Sequence, residues 1–191
     1  MKFLLASTSA RRKELFKVIV KDFEIASPHF DERSVKIENP KKLVEALAYG
    51  KANAVFEKSQ GDWCVVGADT MVVMDKELIG KPKDIDDAFE IVKKLSGKVH
   101  KVITGVCVMI RKEDIETVYN FSVVSKVFFN KLDDEEIWHY VKTEEVLDKA
   151  GAYAIQEGAG KFVKKIEGSF HNIVGLPIAE VYEIFKSEGL L

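Results

Sequence analysis

Two carboxylates and a scattered set of cations carry the chemistry that this sequence could perform. Asp69 lies inside an otherwise apolar run, Val65-Val66-Gly67-Ala68-Asp69-Thr70-Met71-Val72-Val73. A carboxylate is rarely buried there unless it is paired or binds a metal. Glu32 stands in a polar loop, His29-Phe30-Asp31-Glu32-Arg33-Ser34. Together the two could hold a hard divalent cation through oxygen ligands. The cations are Arg11-Arg12-Lys13, Lys51 and Lys81. Ser9 reads as the N-cap of a helix, and the three basic residues crowd its first turn. A helix start favours anions, so each cation there costs roughly 0.3–1 kcal/mol. A strand, the turn Ser7-Thr8-Ser9 and a basic helix start together form an anion pocket suited to phosphates. A metal beside basic groups suits displacement at phosphorus.

Each residue also has a plainer reading. Asp69 caps a turn if its strand ends at Ala68. Glu32 is a solvated loop residue, and Lys51 snorkels its ammonium to water. Lys81 sits in an exposed Gly80-Lys81-Pro82 turn, and Arg11 or Arg12 pairs with Glu14 or another surface acid. Gly158-Ala159-Gly160-Lys161 is a weak phosphate-loop pattern and a common turn. His100 and His171 are isolated and read as structural, while Thr104 and Ser169 have no neighbouring base. There is no P-loop motif, and no Gly-x-Gly-x-x-Gly follows a strand. Both absences argue against a conventional ATPase or dehydrogenase.

The elements that must position these residues are legible in the pattern. Phe3–Ala6 and Phe23–Ala26 read as strands around a helix with Leu15, Phe16 and Ile19 inward. Asn39 caps a second helix that begins at Pro40. Its stripe is Leu43, Val44, Leu47, Ala48, Ala52 and Val55, with Lys51 on the same face. Trp63 to Met74 is a long strand, followed by a hairpin turn and Leu78-Ile79. Asp84 caps a helix closed by Gly97. Val99–Ile110 and Ile115–Phe129 form a hairpin around Arg111–Asp114. Asp133 or Asp134 opens a helix with Ile137, Tyr140 and Val141 inward. Phe162-Val163 is a further strand, and Leu176-Pro177 begins a last helix with Ile178, Val181, Tyr182 and Phe185 inward. The result is a mixed α/β protein with one extended, curved sheet.

Bulk properties bound the partners. The 191 residues make one large domain or two small lobes sharing a core. Net charge of −2 gives no global attraction to nucleic acid or anionic membrane, so neither a stable nucleic acid complex nor a membrane partner is expected. Cys64 and Cys107 read as buried, reduced core residues. No run approaches the length of a membrane span. The chain enters a strand without a leader, so cytoplasm is expected.

At this point the sequence resembles the Maf-like nucleotide pyrophosphatases. The resemblance begins with Leu4-Leu5-Ala6-Ser7-Thr8-Ser9-Ala10-Arg11-Arg12. It continues in order through Asp31-Glu32, Ala48-Tyr49-Gly50-Lys51-Ala52, Gly67-Ala68-Asp69-Thr70, Gly80-Lys81-Pro82, Leu95-Ser96-Gly97 and His100–Gly105. Asp148–Gln156 and Gly168–Pro177 complete it, so nearly the whole chain is covered.

The resemblance implies a cytoplasmic enzyme that cleaves nucleoside triphosphates between the α- and β-phosphates, releasing a monophosphate and pyrophosphate. It implies a divalent cation, Mg²⁺ or Mn²⁺, and a homodimer. The fold would be an elongated, curved mixed sheet flanked by helices, akin to inosine triphosphate pyrophosphatases, as one domain over 1–191 with two lobes around a central cleft. Asp69 takes the place of the family's proton acceptor, and it shares the metal with Glu32. Ser7, Arg12, Lys51 and Lys81 would hold the triphosphate. Arg11, Thr70 and Gln156 take the places linked to base selectivity and resemble the subgroup acting on dTTP and UTP. A Gln amide both donates and accepts, which suits the edge of thymine or uracil. His171 stands where relatives often carry Tyr. The alternatives are a broad house-cleaning pyrophosphatase and a nucleotide-binding module in control of cell division.

Overall fold

A computed structural model describes residues 1–191. Seven strands form one sheet: β1 (Lys2–Ala6), β2 (Glu24–Ala26), β3 (Trp63–Met74), β4 (Glu77–Ile79), β5 (Val99–Lys112), β6 (Ile115–Phe129) and β7 (Val163–Glu167). The order is β2-β1-β3-β5-β6-β7, with β4 paired to β3. β1 runs parallel to both β2 and β3, which requires crossover connections. Helices α1 (Ala10–Ile19) and α2 (Pro40–Phe56) lie on those connections. β3/β4 and β6/β7 are antiparallel, so the sheet is mixed.

The chain divides into two compact units, and β3, β5 and β6 contribute to both. The first unit comprises residues 1–69, 104–123 and 175–191. Its core joins Leu4, Ala6, Ala48, Ala52, Val55, Trp63, Val65 and Met109. Phe16 of α1 meets Phe185 of α6 (Ile178–Ser187) edge-on at 6.1 Å between ring centroids. The second unit comprises residues 70–103 and 124–174. There α3 (Ile85–Leu95) stacks Phe89 on Trp138 of α4 (Asp134–Thr143) at 4.2 Å. Cys64 and Cys107 are free and buried, as their apolar surroundings require.

Most local signals are realised. Asn39, Asp84 and Asp133 each accept backbone N–H bonds at the start of their helices. The differences are short-range. β3 runs unbroken through Asp69, so Asp69 is not a turn cap. The β5–β6 turn is tighter than Arg111–Asp114, because Glu113 and Asp114 both adopt positive φ (51° and 63°) and close a two-residue loop. Tyr182 of α6 faces outward, 45% exposed. A five-residue helix, α5 (Phe170–Val174), follows Ser169, whose hydroxyl accepts the Asn172 N–H at 3.2 Å. It is too short to show a helical period in sequence.

Candidate active site

In the first unit, three side chains from three elements meet. The Lys51 ammonium of α2 contacts the Asp69 carboxylate of β3 at 2.6 Å and the Glu32 carboxylate at 3.0 Å. Glu32 lies on a single 3-10 turn, Glu32–Ser34, capped by Asp31. The Lys51 and Asp69 side chains are 12% and 11% exposed, whereas Glu32 is 54% exposed. The arrangement is therefore walled on one side and open on the other.

Glycines bring these elements together. A Cβ on Gly67 would stand 2.6 Å from the Ala48 carbonyl oxygen and 2.7 Å from the Ala52 nitrogen. Only a bare backbone lets α2 sit this close to β3, and Lys51 is the residue before Ala52. Gly105 of β5 makes a similar approach to Val44. Gly50 faces the ring of Phe30, which a Cβ would meet at 2.3 Å. Phe30 thereby pins the loop that carries Glu32 against the helix that carries Lys51. Lys51 does not simply snorkel to water.

Arg12 completes the charge set. The Ser9 hydroxyl caps α1 by accepting the Arg12 N–H, and the Ser7 hydroxyl accepts the Ser9 N–H at 3.2 Å. No acid stands in the first turn of α1, so the helix start keeps its preference for an anion. The Arg12 Nε donates to the Gly175 carbonyl at 2.8 Å, which aims its guanidinium. Gly175 takes φ of 126°, a conformation that favours glycine. Burial draws the Arg12 pKa down from its ordinary value and Arg11 adds to this, while Asp69 and Glu32 hold it up. The guanidinium stays charged regardless. Glu14 pairs with Lys17 at 2.7 Å.

The donor set fits a hard cation. Glu32 Oε1 and Asp69 Oδ1 touch one ammonium, so they lie no further apart than the sum of 2.6 and 3.0 Å. No cluster of three or more His, Cys, Asp or Glu side chains is present. Mg²⁺ needs no such cage, because it keeps several waters and takes substrate phosphates beside one or two carboxylates.

The family described as Maf-like protein matches residues 2–188. This chain belongs to it. Relatives named dTTP/UTP pyrophosphatase include one from Thermoanaerobacter sp. (strain X514), 44% identical over 98% of this chain and 97% of its own. Another, from Clostridium botulinum (strain Eklund 17B / Type B), is 45% identical over 93% of this chain and 94% of its own. A third, from Thermosipho africanus, is 44% identical over 100% of this chain and 95% of its own. The solved Staphylococcus aureus Ham1 protein is similar over 98% of this chain and 100% of that one, at a TM-score of 0.49 and 16% identity, too slight a likeness to build on.

The remaining candidates of this Maf-like chain, Thr70, Lys81 and Gln156, belong to the second unit. Lys81 and Gln156 are exposed and Thr70 is half-buried. The Gly151 N–H donates to the Gly80 carbonyl at 2.9 Å, tying the Lys81 turn to the segment that leads to Gln156. Gly158–Phe162 forms a 3-10 helix with the Glu144 carboxylate packed on Gly158, which disfavours a phosphate there. His100 is structural, as expected: it is 1% exposed and its Nε2 meets the Tyr153 hydroxyl at 2.7 Å. Sequence reasoning missed Phe30 and the Gly175 carbonyl as positioning groups. An aromatic in a polar loop was the only signal for Phe30.

Proposed function

We propose that this chain hydrolyses dTTP and UTP to the nucleoside monophosphate and pyrophosphate at the Lys51–Asp69–Glu32 constellation. The single observation that carries this reading is one ammonium holding two carboxylates from separate elements beside a helix start that favours anions. The curated relatives, similar over nearly their whole length, carry dTTP/UTP pyrophosphatase as their name.

Each residue then has a task. Arg12 and Lys51, with the Ser7 hydroxyl, bind phosphate oxygens in the first unit, and Lys81 supplies a further cation. Asp69 orients a water and accepts its proton as the water attacks phosphorus. The bond to the bridging oxygen between the α- and β-phosphorus breaks, and pyrophosphate leaves with that oxygen. Glu32 and Asp69 would hold a divalent cation, Mg²⁺ or Mn²⁺, which would offset negative charge on the leaving pyrophosphate and lower the pKa of bound water. Arg11, Thr70 and Gln156 select the base. The cytoplasm and a homodimer complete the reading.

The test is Asp69→Asn. Turnover of dTTP and UTP falls by about 10²–10⁴, the usual worth of general-base help, while the fold is retained. Near-normal turnover would show that another group accepts the proton.

A further inference from the structure

The Lys51 ammonium contacts both carboxylates that would hold a divalent cation. Its Nζ lies 2.6 Å from Asp69 and 3.0 Å from Glu32, and these are the two carboxylates assigned to the metal under the proposed function, on which this inference rests. The stem of Lys51 runs from the apolar face of α2, which Gly67 lets lie directly on β3. The helix is fixed while the ammonium can swing, because the four-carbon stem bends and the head has three donors that suit carboxylate or phosphate equally.

The charge balance shows when it would swing. Glu32 and Asp69 together carry two negative charges, and Lys51 and Arg12 together carry two positive ones. These four charges balance one another, and Arg11 adds a further positive charge that acts on Arg12. A bare divalent cation would add two positive charges to a partly buried site and would have to displace an ammonium that gains no anionic partner in exchange. A triphosphate carries more negative charge than its metal neutralises, so it gives the displaced ammonium a new partner.

We propose that Lys51 is a placeholder cation. In the nucleotide-free protein it clamps Glu32 and Asp69 together and keeps divalent metal out. When a triphosphate arrives with its metal, Lys51 passes from the carboxylates to the phosphate oxygens. The device ties metal loading to substrate loading and keeps Asp69 paired between turnovers.

The test titrates Mn²⁺ alone into the nucleotide-free full chain, read by the electron paramagnetic resonance signal of free Mn²⁺. Wild type binds weakly. Lys51→Met binds about tenfold more tightly or better, as expected when a competing charge is removed. Lys51→Arg keeps the charge and stays weak. Thermal unfolding checks that each variant is folded, and Lys51→Gln replaces Lys51→Met if that variant is not. Unchanged or weaker Mn²⁺ binding on loss of the charge overturns the proposal, as does tight binding by wild type. No nucleotide enters this measurement. Its failure is therefore distinct from failure of the pyrophosphatase reading, which pyrophosphate release by wild type decides.

Discussion

Two lysines of this chain are largely buried, and they differ in what they hold. Lys149, in the second unit, is 3% exposed. Its ammonium donates to the Glu145 carbonyl, contacts Asp148 at 2.8 Å and lies 3.4 Å from Glu157. All three partners come from its own stretch of chain, and one is backbone. Lys51, in the first unit, contacts only carboxylates, from elements far apart in sequence. A cation that satisfies a backbone carbonyl is part of the architecture, because removing it strands a polar group. A cation that meets only side-chain carboxylates can exchange them for a ligand. Lys149 therefore holds its own stretch of chain together, whereas Lys51 joins two carboxylates from separate elements.

The largest effect expected on the structural side comes from His100. Burial lowers its pKa to about 4 from an ordinary value of 6.5. Below pH 6.5 the unfolded chain takes up a proton that the folded chain refuses, so stability is lost as pH falls through the window from 6.5 to about 4. The loss reaches up to about 3 kcal/mol. Urea denaturation across that range should show the slope, and His100→Gln, which cannot titrate, should flatten it. An unchanged slope would remove His100 from the structural side.

A smaller loss follows Lys149→Met. Taking the donor from the Glu145 carbonyl costs about 1–3 kcal/mol, with turnover of the folded protein changing less than tenfold. Lys51→Met should do the reverse: it should cost less stability, because Glu32 is half-exposed and Arg12 still offsets Asp69, yet reduce turnover more than Lys149→Met does. Thermal unfolding and steady-state rates of the two variants, side by side, decide the comparison. If Lys149→Met is the more damaging to turnover, the distinction fails.

How much of this was legible in the sequence follows from the range of each signal. The caps Asn39, Asp84 and Asp133 act within three residues, so they are readable and are realised. Lys51 and Asp69 are each visible as charges on apolar elements. Their meeting is not visible, because it depends on the bare backbone of Gly67 against Ala48 and Ala52, a contact between residues distant in the chain. The same holds for Phe30 on Gly50 and for the Gly175 carbonyl that aims Arg12. The family motifs contained Gly50, Gly67 and Gly175 without saying what each approaches. The tight Glu113-Asp114 turn was blurred because charged residues of β5 look like loop until Arg111 is seen bonded to Glu116 at 2.8 Å and lying over Phe56.

The finest effect separates the two arginines of α1. Arg12 is aimed by Gly175 into the charge cluster, so Arg12→Ala should lower turnover of every triphosphate alike. Arg11→Ala should instead change the ratio of dTTP to dGTP turnover, by about tenfold, the worth of one good polar contact to a base. Rates on a pyrimidine and a purine triphosphate measure both. Equal losses across bases for both variants would merge their roles.

One measurement tests the central claim most directly: pyrophosphate release by the wild-type chain from a panel of nucleoside triphosphates, with and without Mg²⁺ or Mn²⁺. The account predicts metal-dependent release of pyrophosphate, fastest from dTTP and UTP. Equal rates for purines and pyrimidines, or release of single phosphates in place of pyrophosphate, would contradict it.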